Sequence, residues 1–364
     1  MMKPLLGLGV LTLLLAAVAG GLLRVGVVLP GAGDAPWLGH AAGFHAALMI
    51  GGFLGSAIGL ERAVAVKRRL AFIAPLTAML GGLCLLSGQA DAGAWLLVAA
   101  AAAFVIVNLV VVRRQFAAHT VLLLAGACAW LAGNLLFAIS VRPAAPLPWW
   151  FAFLVMTIAA ERLEMTRVMR RGPEVGLLLF AVLALMLAGA AWFVASPAPG
   201  GLLFGIALTL LAGWFGWFDV ARRTIRAHGL ARYMAAALLG GYVWLAIAGM
   251  AWIGMAFGLP LRDTALHALG LGFIVSMMMG HAPVILPAVA RIKLRFGGWF
   301  YAPLIALHVS LVLRLGFGAT DMAWRARGAV FNAAALALFI ATIGGAALAW
   351  RHQHGAVRVR ESHR

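Results

Sequence analysis

Residues 95–112 read WLLVAAAAAFVIVNLVVV, closed on one side by Asp91 and on the other by Arg113 and Arg114. A run of this length, with one polar residue and charges only at its ends, is long enough to cross the hydrocarbon core of a bilayer as a helix. A buried strand stops after about eight residues. A barrel strand alternates over about ten. The run does neither, so it sets an α-helical span. The rest of the chain repeats the pattern: 65% of the 364 residues are hydrophobic, 10% are charged, and mean hydropathy is +1.03. A water-soluble domain keeps about a quarter of its residues charged.

Working outward from 95–112, the apolar runs predict helices over 4–29, 37–60, 70–88, 93–112, 118–140, 147–168, 176–195, 200–220, 232–257, 264–289, 299–315 and 328–350. The expected fold is all-α, a polytopic membrane bundle of about twelve transmembrane helices. Residues 1–350 would form one transmembrane domain and 351–364 a basic cytoplasmic tail. The first run follows Lys3, as a signal peptide would, but it is too long and lacks a small-residue exit. It is read as a helix that stays.

The formal net charge is +18. In a soluble chain that would suggest nucleic acid, but no nucleic-acid-binding motif is present. Here Lys and Arg sit in the short loops, 22 on one face and 6 on the other if there are twelve spans. One missed helix would scramble that split. The rule that basic loops stay inside places both termini in the cytoplasm and favours a bacterial inner membrane. Cys84 and Cys128 stand alone in apolar runs, with no paired-cysteine motif.

Ionisable groups inside a bilayer are costly and mark function by default. His228, His352, His354 and His363 fall in loops or the tail, and His119 lies at the edge of span 5. Five histidines remain: His40 and His45 on span 2, His267 and His281 on span 10, and His308 on span 11. At 1.5 Å per residue, His40 lies about 5 Å below the outer surface, His45 about 12 Å and His267 about 6 Å. Two imidazoles from different helices at a similar depth can grip a haem iron from both sides. His281 follows His267 by 14 residues, which at 100° per residue returns to within about 40° of the same face. His281 and His308 are candidate ligands of a second metal, with Glu61 and Glu161 as nearby acceptors and Glu164 beside them. Pro283 and Pro287 would free backbone carbonyls on span 10.

Glu61-Arg62 and Glu161-Arg162 close spans 2 and 6, four helices apart, and span 10 follows four later. That period would arrange the bundle as three arcs of four helices. The pairs also fit a plain ion-pair network. Gly51, Gly52, Gly55 and Gly59 form a small-residue face suited to close packing. Asn108, Asn134, Tyr242 and Asn332 are expected to hydrogen-bond across helices.

The segments His40-Ala41-Ala42-Gly43-Phe44-His45, His267-Ala268-Leu269-Gly270-Leu271-Gly272 and Met279-Gly280-His281-Ala282-Pro283 resemble the NnrS family, haem- and copper-containing bacterial membrane proteins linked to nitric oxide stress. More distantly, the plan resembles subunit I of the haem–copper oxidases. The resemblance implies haem held by His40 or His45 together with His267, a second metal near His281 and His308, copper as a further cofactor, and an electron donor or small gas as partner. Spans 6 and 7 carry no histidine, so the three-histidine copper site of the oxidases is absent. That argues against proton-pumping oxygen reduction. A second class consistent with these residues is a transition-metal or proton-coupled transporter using intramembrane His, Glu and Met, and a third is a structural or assembly protein of the membrane that uses the histidines for packing.

Overall fold

A computed structural model describes residues 2–29, 35–165 and 172–361. Arg167, Arg170 and Arg171, the 166–168 end of the sixth expected span, and His363 lie outside the described residues. The chain is an all-α bundle of membrane-length helices. They are α1 (Met2–Arg24), α2 (Pro36–Gly43 continued by His45–Val66), α3 (Arg69–Leu86), α4 (Ala90–Arg114), α5 (Ala118–Ala138) and α6 (Pro146–Met165). Then come α7 (Pro173–Ala195), α8 (Pro197–Phe218), α9 (Gly229–Ala256), α10 (Arg262–Ala290), α11 (Gly298–Ala319) and α12 (Met322–Glu361). Eleven are long and apolar enough to cross a membrane; α6, at 20 residues, is the twelfth of spanning length. Each expected span coincides with one of them.

Prolines open several helices, because the first turn has no use for the missing N–H: Pro36, Pro173 and Pro197 stand at the starts of α2, α7 and α8. Connections are short, so successive helices are antiparallel, and each packs on its sequence neighbour along most of the chain. Helix α1 also packs on α12, which brings the two ends of the chain together on one side of the bundle.

The centre of the bundle is α6. Every residue from Trp150 to Ala160 is buried. A helix apolar on all sides can face lipid or be surrounded by protein, and here protein surrounds it. Helix α10 packs against both α2 and α6, so the three helices spaced four apart meet in the interior. The glycine face of α2 is used for packing: a methyl group on Gly55 would strike the Trp130 ring, one on Gly52 would press on Leu13, and one on Gly59 would press on Pro75.

Three helices leave α-geometry in mid-course. Residues Leu48–Leu54 of α2, Ala268–Val275 of α10 and Val312–Gly316 of α11 are π-helical. Such stretches are rare, and functional sites are where they most often occur. Helix α10 continues through Pro283 and Pro287. Pro283 has no N–H for the carbonyl of Met279, and the Tyr233 hydroxyl donates to that oxygen at 3.1 Å, which meets the expectation of a freed carbonyl.

Asn134 and Asn332 hydrogen-bond across helices, to the Leu97 carbonyl (2.7 Å) and to Ser310 Oγ (2.7 Å). Asn108 does not: its amide donates to the Phe104 carbonyl one turn back in its own helix. That carbonyl lies within reach of the side chain without any second helix, so the local bond forms.

Candidate functional site

Helix α2 enters from the face opposite the chain termini, here called the distal face. Its first turns carry His40 and His45, which part company. His40 turns toward α3, where its Nδ1 lies 3.0 Å from the Leu86 carbonyl. Gly88, at φ +84°, makes the turn after α3 and leaves room for the His40 ring, since a β-carbon there would lie 2.7 Å from Cε1. His45 turns inward. Its Nδ1 donates to the Ala17 carbonyl of α1 at 2.7 Å. Gly21 of α1 makes this approach feasible, because a β-carbon there would stand 2.8 Å from the imidazole. With Nδ1 occupied, Nε2 of His45 is the nitrogen left for other chemistry.

His267, one turn into α10, faces it. The two ring centroids are 6.4 Å apart and the planes differ by 28°. Both imidazoles immediately precede, or nearly precede, a π-helical stretch: His45 by three residues and His267 by one. His267 Nδ1 lies 2.9 Å from Asp263 Oδ1 and 3.1 Å from the Asp263 carbonyl. A carboxylate there fixes the ring's orientation and tautomer, as the outer partners of ligating histidines do.

Asp263 is in turn held by Arg314, from the π-helical stretch of α11. The guanidinium donates through Nε to Oδ2 (3.0 Å) and through Nη2 to Oδ1 (2.8 Å), a two-point pair. Nη2 also sits 3.1 Å from His267 Nε2 and 3.3 Å from its Nδ1. Asn332 of α12 completes the set 3.5 Å from Nη1 and ties back to Ser310. All three π-helical stretches therefore flank one constellation. Neither Asp263 nor Arg314 is among the candidates named from the sequence. The signal that could have found the pair was Arg314 inside an apolar run.

His45 and His267 stand where two cavities meet. The distal one, about 400 Å³, is lined by arginines and by Phe44, Phe137 and Trp150. The deeper one, about 130 Å³, is lined almost wholly by apolar side chains of α1, α2, α6, α10 and α12.

The remaining sequence candidates lie elsewhere. His281 donates from Nδ1 to the Met277 carbonyl (2.7 Å), and its Nε2 accepts from Arg162 Nη2 at 2.6 Å. His308 accepts from Trp244 Nε1 at 2.7 Å, the two rings lying nearly parallel, and its Nε2 is 3.5 Å from Ser276 Oγ. Glu61 and Glu161 are electrostatic neighbours near the opposite end of the bundle, and the charges of Arg62 and Arg162 also act on Glu161. Among the described residues no group of three or more His, Cys, Asp or Glu side chains converges as a metal site.

The fold and this constellation define a polytopic, all-helical membrane protein with a paired-histidine site near one membrane face. Residues 3–348 match the family model of a domain of unknown function, DUF8744, and the chain belongs to that family. No curated protein matches the chain.

Proposed function

We propose that the chain is a haem-binding membrane protein with a redox role or a response to a diatomic gas such as nitric oxide, with His45 and His267 as the two axial ligands. The carrying observation is their 6.4 Å centroid separation. Two imidazoles bound to opposite sides of one metal ion, each at about 2 Å, hold their ring centres about 6 Å apart. Both have their Nδ1 engaged by α1 or Asp263, and both border a roomy and an apolar cavity. That donor set and that space suit an iron porphyrin. His40 is replaced by His45 in this reading because its ring is directed to Leu86.

Haem, when bound, would supply a one-electron couple and an iron with affinity for diatomic gases, and His45 and His267 would hold it. The protein's part is to orient His267 through Asp263, to keep a fixed cation beside it in Arg314, and to bury the site in low dielectric. A second metal at His281 and His308 has less support, since one ring is held by Arg162 and Met277 and the other by Trp244, with no ring contact between the two among the described residues.

The test is the optical spectrum of the detergent-purified protein, oxidised and reduced. A Soret band that His45→Ala or His267→Ala abolishes or shifts to a five-coordinate form is expected. A colourless wild type, from cells supplied with haem precursor, overturns haem binding. A transporter reading draws on the neighbouring Glu61 and Glu161; proton- or metal-dependent uptake into vesicles, lost in Glu161→Gln and unaffected by His45→Ala, would favour it.

A further inference from the structure

The distal cavity carries more positive charge than the pair of histidines needs. Arg24, Arg262, Arg314 and Arg325 line it, against Asp263 as the one acidic lining residue among the described residues. Asp263 is committed to Arg314 by two hydrogen bonds. Among the described residues, no other carboxylate stands within ion-pair distance of the four arginines. Arg325 spends Nε and Nη2 on the Gly318 and Ala319 carbonyls, at 2.9 and 3.1 Å. Arg24 spends Nη1 on the Ala42 carbonyl at 3.1 Å. Among the described residues, the remaining guanidinium donors have no carboxylate within ion-pair distance.

These arginines come from the distal ends of α1, α10, α11 and α12, which the alternating course of the chain brings to one face. Arg24 and Arg262 are exposed, while the deeper cavity beyond His45 and His267 is apolar. An occupant that passes the two histidines and fills both spaces must therefore be amphipathic, apolar at the deep end and anionic at the distal end. Planar, two-point recognition by guanidinium favours carboxylates or phosphates.

We infer that the distal cavity is a carboxylate-binding chamber that seats the acidic edge of the tetrapyrrole against Arg24 and Arg262, with Arg325 shaping the rim. This rests on the haem reading and adds to it a fixed orientation: acidic edge outward, apolar edge toward the bilayer centre. Arg314, held by Asp263, is excluded from that role. Without the chamber, a porphyrin could enter either way round.

The experiment compares haem with its dimethyl ester, in which both carboxylates are neutral. Haem-free protein in detergent is titrated with each and followed at the Soret band. Wild type is expected to bind haem at least about tenfold more tightly than the ester, the scale of one lost charged hydrogen bond. Arg262→Gln and Arg24→Gln are expected to weaken haem and leave the ester unchanged. Equal affinity of wild type for both, or equal weakening of both by the arginine variants, overturns the chamber and leaves axial ligation by histidine standing. Failure of either compound to give a Soret band overturns both. Co-purification of an anionic phospholipid that Arg262→Gln releases, with no haem bound, also overturns the inference and assigns the chamber to lipid. Arg325→Gln does not serve alone, since that side chain caps α11; Arg262, which has no such duty among the described residues, is the decisive position.

Discussion

The His45 imidazole of α2 and the His267 imidazole of α10 lie 6.4 Å apart, centre to centre, with planes 28° from parallel. They belong to residues more than two hundred positions apart in the chain, and each is braced from behind. Ala17 holds one and Asp263 the other. A part-buried imidazole nitrogen without a partner incurs a desolvation penalty, and metal ligation would remove it at His45 Nε2; at His267, Nε2 already lies 3.1 Å from Arg314 Nη2, a contact that ligation would replace. His45→Gly should therefore lose the six-coordinate spectrum, and free imidazole added to that variant should restore it. A variant whose spectrum does not change on loss of the His45 ring would exclude it as a ligand.

His40 provides the internal contrast. Its ring bonds to Leu86 on α3 and packs over Gly88. His40→Ala should remove one hydrogen bond, costing about 1 kcal/mol, and leave the haem spectrum as in wild type. The measurement is thermal unfolding in detergent beside the optical spectrum. A lost Soret band in His40→Ala with normal stability would reverse the assignment between the two histidines.

The Asp263–Arg314 pair joins α10 to α11 behind His267. Arg314 is buried and its side chain has no other anion among the described residues. Asp263→Ala leaves that cation without its counter-charge, which at buried pairs costs about 3–5 kcal/mol. Replacing both, as Asp263→Leu with Arg314→Met, should recover much of that loss in thermal stability while leaving His267 poorly oriented. Measured stabilities of the two single variants and the double form a coupling cycle. Additive effects would show that the pair contributes nothing beyond its separate residues.

The spans could be read from the sequence because a bilayer demands unbroken apolar length, a local property. The loop charges then tested the helix count. The site was only half visible. Depth along a helix follows from residue number, so His45 and His267 could be brought to similar levels. The choice between His40 and His45 could not be made, because it depends on which carbonyl of α1 or α3 each ring meets. Asp263 and Arg314, 51 positions apart, become partners only through packing. The π-helical stretches were hidden for a similar reason: Gly51, Gly52, Gly270 and Gly272 permit a widened turn but do not require one. The small-residue face of α2 was visible because spacing alone puts those glycines together.

A second buried network holds α4, α5 and α6 together around the core. Asn134 donates to the Leu97 carbonyl at 2.7 Å, and its Oδ1 accepts from Trp150 Nε1 at 2.8 Å. Asn134 is fully buried and Trp150 nearly so. Asn134→Ala orphans the indole N–H and opens a small void, at a cost of about 1–3 kcal/mol. Trp150 also lines the distal cavity, so haem affinity should fall with stability. Thermal unfolding and a Soret titration read the two effects, and unchanged values in both would show that the network is not structural.

The approach of α1 to α2 sets the position of His45, and Gly20 controls it. A β-carbon on Gly20 would collide with the backbone carbonyl of Ala41, which has no rotamer by which to yield. Gly20→Ala must push the two helices apart, and overpacking of this kind costs about 1–3 kcal/mol. The same shift lengthens the His45–Ala17 hydrogen bond, now 2.7 Å, and so loosens one ligand of the proposed haem. Gly344 on α12 has nothing within 4 Å of an added β-carbon. Gly344→Ala should therefore be neutral or stabilising by up to about 1 kcal/mol, since alanine favours the helix. Thermal unfolding of both variants in the same detergent tests the contrast. If Gly20→Ala were as stable as Gly344→Ala and kept the wild-type spectrum, close contact between α1 and α2 would not be what holds His45 in place.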